Sequence, residues 1–219
     1  MSNVSRRRWR VPAWLIFLGI LPIAASLYRI AVLIGTDPAT VTNTDELRFF
    51  AQPVSIALHV IFAVAFLVLG AFQFVPHLRI GTPSLHRLIG YGAAVSGIIF
   101  ALSGVYMVVT YPPHSLANPY IDIARIILGL AIPVMIALGI IRAIRREFPA
   151  HRAWMIRAYA LAASSGAQSW LIAVAMLING GFDATLADTM MWLGWAIGIL
   201  AAEWVIHRQP RQHRARSVS

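Results

Sequence analysis

Six apolar segments limit what this chain can become. They lie at roughly 12–34, 53–75, 86–110, 120–142, 153–178 and 186–206. A helix needs about 20 apolar residues to cross the hydrocarbon core of a bilayer, and each segment supplies them. The connections between them are short, so nothing is left for a soluble domain. The segments predict an all-α fold: an integral membrane bundle of six transmembrane helices. The expected organisation is a basic N-terminus at 1–11, a transmembrane domain at 12–207 and a basic, disordered tail at 208–219. Only 12% of the residues are charged, about half the share of a soluble domain.

The arginines orient the bundle. The net charge is +10, and every one of the 18 basic residues is Arg. Arg6, Arg7, Arg8 and Arg10 precede the first segment. Arg79 and Arg87 flank the second connection, Arg142, Arg145, Arg146 and Arg152 the fourth, and Arg208, Arg211, Arg214 and Arg216 close the chain. The alternate connections are acidic or nearly neutral. The positive-inside rule then places both termini in the cytoplasm. Arginines clustered between apolar runs suit an anionic membrane surface, not nucleic acid. The basic, apolar start "RRRWRVPAWLIFLGILPIAAS" resembles a signal peptide, but its apolar run continues to Ile34, so it reads as a retained first helix. The chain has no Cys. Disulfides, thiolate nucleophiles and Cys-bound zinc or iron–sulfur sites are therefore excluded.

Ionisable residues inside spans are costly and mark candidate sites. His59 lies in the outer half of the second segment, and helical periodicity places Phe66, Gly70, Gln73 and His77 along its face. Arg157, Ser164 and Gln168 share a face of the fifth. Arg157 and Glu203 have matching depths near the inner surface and predict an ion pair. Arg29, Arg125, Asp122, Asp188, His59 and Gln168 are the residues that could line an outer polar pocket, and several also suit headgroup anchoring. Gly90, Ala94, Gly97, Ala101 and Gly104 form a stripe of small residues, suited to close helix packing or to a flat cofactor.

Two strings, "PSLHRLIGY" and "PAHRAWMIRAY", set His-Arg at the start of an apolar segment: His86-Arg87 and His151-Arg152. A cation at a helix N-terminus opposes the helix dipole unless an anion lies between them. The pairs therefore suit a lipid phosphate, a cofactor carboxylate or an anionic substrate. They also satisfy the positive-inside rule with no ligand at all.

The strings "LHVIFAVAFLVLGAFQF", "LRIGTPSLHRLIGY" and "HRAWMIRAYAL" resemble an uncharacterised bacterial membrane family, domain of unknown function 2306, over about residues 55–175. The resemblance implies a multi-helix protein of the bacterial cytoplasmic (inner) membrane and no established activity. A looser resemblance, through His-Arg-x-x-Gly, is to six-helix b-type cytochromes. It implies axial haem ligation by His86 with His151, or with His77 or His207, and Arg152 or Arg157 against a propionate. His59 and His86 would lie near opposite faces and could not share one haem.

Three functions remain open on the sequence. One is electron transfer through haem b or a quinone, at a site made of His86, His151, Arg152, Arg157 and Gln73, with His59 as a further candidate. The second is a structural or assembly subunit that binds anionic phospholipid. The third is a small-molecule transporter, disfavoured because no carboxylate lies at a span centre. Expected partners are the lipid bilayer and anionic lipids, with a second copy or a membrane-complex subunit as further candidates. A hydrolase is not indicated, since no nucleophile, base and orienting acid appear in a recognisable spacing.

Overall fold

A computed structural model describes residues 3–208, with side chains from residue 11 onward. The expected side chains of Arg6, Arg7, Arg8 and Arg10, and the tail beyond Arg208, lie outside what is described. The described chain is helical: α1 (Asn3–Gly35), a short 3-10 turn (Pro38–Thr40), α2 (Thr44–Ala51), α3 (Pro53–Gln73), α4 (Pro76–Gly81), α5 (Pro83–Thr110), α6 (Pro119–Ile144), α7 (Phe148–Asn179) and α8 (Ala184–Arg208). Six of these helices are long and apolar enough to cross a membrane. Helices suit that medium because their backbone groups bond within the segment.

Prolines open most of the helices. Pro53, Pro76 and Pro83 stand at the first position of α3, α4 and α5. There the missing N–H removes a donor that would have no helical partner, and the fixed φ favours the first turn. The short helix α2 was not anticipated. Asn43 starts it by accepting a hydrogen bond from Asp45 N at 2.9 Å, the usual role of an N-cap side chain. Gly180 closes α7 at φ 76, where only glycine is unstrained.

One expected alignment does not occur. The face running from His59 to His77 ends at Gln73, because α3 stops there. Pro76 drives the residue before it out of helical geometry, and Val75 is extended at φ −76 and ψ 113. His77 therefore belongs to α4, with its ring against Gly81.

The chain forms two compact units, Met1–Pro133 and Val134–Ser219. In the first, α3 packs antiparallel to α5, the helix with the stripe of small residues. Ala93, Ala94, Ser96, Gly97 and Ala101 are buried there. A Cβ added to Gly104 would come within 2.9 Å of the His59 ring, and one added to Gly90 within 3.3 Å of the Gln73 amide. The stripe thus serves close packing, as one of its two readings expected.

In the second unit α7 and α8 pack the same way. Gly194 faces Gln168, and Gly198 lies against Ser164 and 2.9 Å, by its built Cβ, from Ala160 O. Large apolar side chains such as Leu177 and Ile178 are 83% exposed. In water such exposure would be a liability; against lipid tails it is ordinary.

Candidate functional site

The first unit holds Gln73 and His86. His86 lies in the first turn of α5, and its backbone N–H donates to Thr82 O at 3.0 Å. Gln73 ends α3. Its amide N donates to His86 Nδ1 at 2.9 Å and to His86 O at 3.2 Å, and its amide O accepts from Gly90 N at 3.2 Å. An acceptor Nδ1 carries no proton, so the neutral His86 ring carries its proton on Nε2.

His59 is at the other end of α3, about 20 Å from Gln73 along the axis. Its Nδ1 lies 2.9 Å from Phe100 O. A carbonyl only accepts, so Nδ1–H donates and Nε2 keeps the lone pair. The imidazole also stands 4.9 Å, centroid to centroid, from the Phe100 ring.

The second unit holds His151, Arg152 and Arg157. His151 Nδ1 lies 2.8 Å from Gly139 O, which fixes the same tautomer as in His59. Gly139 also admits Met155, whose sulfur would lie 2.7 Å from a Cβ built there. Arg152 is half-buried in the first turn of α7. Arg157, about one and a half turns further on, donates from Nε and Nη2 to the two oxygens of Glu203 at 2.6 and 2.9 Å. This fork-to-carboxylate geometry is the ion pair expected from the sequence. Trp154 lies under the guanidinium at 5.1 Å, and His207 Nε2 is 3.4 Å from the same carboxylate.

Within the first unit, then, Gln73 meets His86, and His59 meets Phe100 at the other end of α3; the second unit by itself holds His151, Arg152 and Arg157. Among the described residues no group of three or more His, Asp or Glu is arranged to hold a metal ion.

The residues expected around an outer pocket are tied locally. Arg29 pairs with both oxygens of Glu46. Arg125 donates to Asp122 at 2.8 Å. Gln168 donates to Met191 O at 3.0 Å. Sequence reasoning missed the group around α2. There Asp45 accepts from Ser115 N at 2.9 Å and Ser115 Oγ at 2.5 Å. These bonds, the side-chain one first, hold the Asp45 carboxyl below the ordinary carboxylate range. Tyr111 donates to Gln52 O at 2.6 Å, and burial raises its phenol above the usual value. The available signal was "NTDELRFF", an Asn followed by acids in a first turn.

No curated protein and no solved structure gives a significant match. The family described as predicted membrane protein (DUF2306) matches residues 56–206, from the first turn of α3 almost to the end of α8. The matched stretch contains all six expected site residues, and the chain belongs to this DUF2306 family of predicted membrane proteins.

Proposed function

We propose that the chain is a multi-pass membrane subunit without redox chemistry of its own, which holds anionic lipid at its basic helix ends. One observation supports this reading. His59, Gln73, His86, His151 and Arg157 each bond a group of the protein itself. Such bonds offset the cost of placing polar groups in hydrocarbon and pin one helix against another. Further cations gather near helix ends: Arg79 in α4, Arg87 early in α5, Arg145 and Arg146 between α6 and α7, and Arg152 early in α7. Each arginine near an anionic surface contributes about 1 kcal/mol to lipid attraction.

A second reading rests on His151. With Nδ1–H donated to a carbonyl, its Nε2 lone pair is left as the acceptor, the posture typical of metal-bound imidazole. That tautomer keeps electron transfer through haem b or a quinone in play, with Arg152 or Arg157 as the partner of an acidic or carbonyl group.

One preparation separates the two readings. The protein is expressed with haem supply, purified in detergent, and measured by absorption before and after dithionite and by mass spectrometry of retained lipids. The lipid reading expects no Soret band, with retained phosphatidylglycerol or cardiolipin that falls severalfold in Arg145→Gln/Arg152→Gln. A Soret band that disappears in His151→Ala would replace it with the haem reading. A stoichiometric quinone in the lipid extract would do the same for the quinone form.

A further inference from the structure

His59 has one ring nitrogen committed and one open. It lies about 9 Å along α3 from Pro53, at the α2 end of that helix. Its Nδ1–H donates to Phe100 O at 2.9 Å, and Ser103 Oγ also approaches this carbonyl at 2.9 Å. The Cε1 edge of the ring faces Gly104, where an added Cβ would come within 2.9 Å. A bond and a notch thus hold the imidazole at one edge. Nε2 has no hydrogen-bond partner among the described residues, and it is not enclosed by protein.

The chemistry open to that nitrogen is narrow. No carboxylate pairs with His59 among the described residues, and an unpaired imidazolium is costly in hydrocarbon. The ring is therefore neutral, with one donor and one acceptor. Its donor is spent on Phe100 O, so Nε2 only accepts. Acyl chains offer no donor, and hydrocarbon supplies no water to take its place. An anion brings no proton to share, and a free cation would itself be costly there. A neutral hydroxyl on a lipid-soluble molecule meets the requirement, and the surroundings favour an aromatic one. The half-buried Phe100 ring stands 4.9 Å from the imidazole, centroid to centroid. Phe66, 2% exposed, stacks on Phe100 at 6.3 Å and backs it. A further ring packs on such a surface in edge or offset geometry.

We propose that His59 Nε2 and the Phe100 ring form a docking site for a lipid-soluble phenol of the hydroquinone class. The phenolic O–H donates to Nε2, and the ligand ring lies against Phe100. No electron or proton is passed on. The contact discriminates between redox forms. A hydroquinone carries hydroxyl donors, whereas its quinone presents carbonyl oxygens alone and sets lone pair against lone pair. A site that binds through a hydroxyl rejects the analogue that lacks it. This site depends on neither reading given above, since lipid is held there at basic helix ends and haem or quinone at His151.

The test uses the full chain with isotope-labelled histidine in nanodiscs of zwitterionic lipid, as wild type, His59→Leu and Phe100→Leu, with His151→Ala as the control. The probes are a short-chain ubiquinol, the matching ubiquinone and the dimethyl ether of the ubiquinol, all under anaerobic conditions. The nitrogen NMR signal missing from His59→Leu identifies His59, and its movement on titration reads binding. Wild type and His151→Ala are expected to bind the ubiquinol at least tenfold more tightly than the quinone or the ether, with Phe100→Leu severalfold weaker than wild type. Equal affinity for the ubiquinol and its ether would overturn the proposal, as would a His59 signal that does not move. Loss of ubiquinol binding in His151→Ala, with His59→Leu unaffected, would overturn it and support the quinone reading of His151 instead. If His59→Leu does not fold, the comparison of ubiquinol with its ether in wild type decides.

Discussion

At the residue scale, Arg146 is the clearest strained position. It holds φ 61, the one positive φ outside glycine among the described residues. It ends α6 in a Schellman turn: Glu147 N–H reaches Arg142 O at 2.8 Å and Arg146 N–H reaches Ala143 O at 2.9 Å. Glycine is the usual occupant, since a Cβ in the left-handed region costs about 1 kcal/mol. Arg146→Gly is therefore expected to stabilise the protein by about 1 kcal/mol, read as a higher Tm in detergent, even though a positive charge is lost. A lower Tm would mean that the Arg146 side chain contributes more than its backbone strain costs. The sequence announced a basic connection here but not the turn, because nothing in "AIRREFP" marks which residue turns left-handed. By contrast the Arg157–Glu203 pair was legible. Depth along a helix follows from residue number alone, and an intramembrane cation needs an anion at its own depth.

At the scale of elements, polar side chains and glycines are matched across the antiparallel pairs. His59 and Gln73 on α3 meet Gly104 and Gly90 on α5, about four turns apart on both helices. Ser164 and Gln168 on α7 meet Gly198 and Gly194 on α8, about one turn apart. Gly104→Ala is expected to destabilise by about 1–3 kcal/mol through overpacking against the imidazole. His59→Ala should relieve much of that cost, so the double mutant is expected to lie well above the sum of the single losses. Additive losses would show that the ring and the glycine do not meet. Half of this pattern was visible in advance. The α5 stripe stood out because its small residues recur along one face. Gly194 and Gly198 did not, because "WLGWAIGIL" reads first as an aromatic belt. The break after Gln73 was also encoded, in Pro76, but the apolar run across it hid the stop.

At the scale of the whole molecule, the six apolar helices were legible because the bilayer imposes a length and a composition that few other environments demand. The polar bonds other than the Arg157–Glu203 pair were not, since they depend on how each helix is rotated. The absence of Cys offers a direct test of topology. Single cysteines are introduced at Ser115, between α5 and α6, and at Ser84, at the start of α5. The positive-inside assignment expects a membrane-impermeant maleimide to label Ser115→Cys on intact cells and Ser84→Cys only after permeabilisation. The reverse pattern would place the termini on the other side. The glycine notches bear on a different problem. Hydrocarbon rewards every apolar helix for entering, whatever its rotation, and so it does not choose among neighbours. A notch that admits one imidazole or one amide does choose. Sliding α3 by a turn would press His59 on a filled position and leave Gln73 without its partner in lipid. Partitioning brings the segments into the bilayer, and a few matched polar groups act as a combination that opens at one setting.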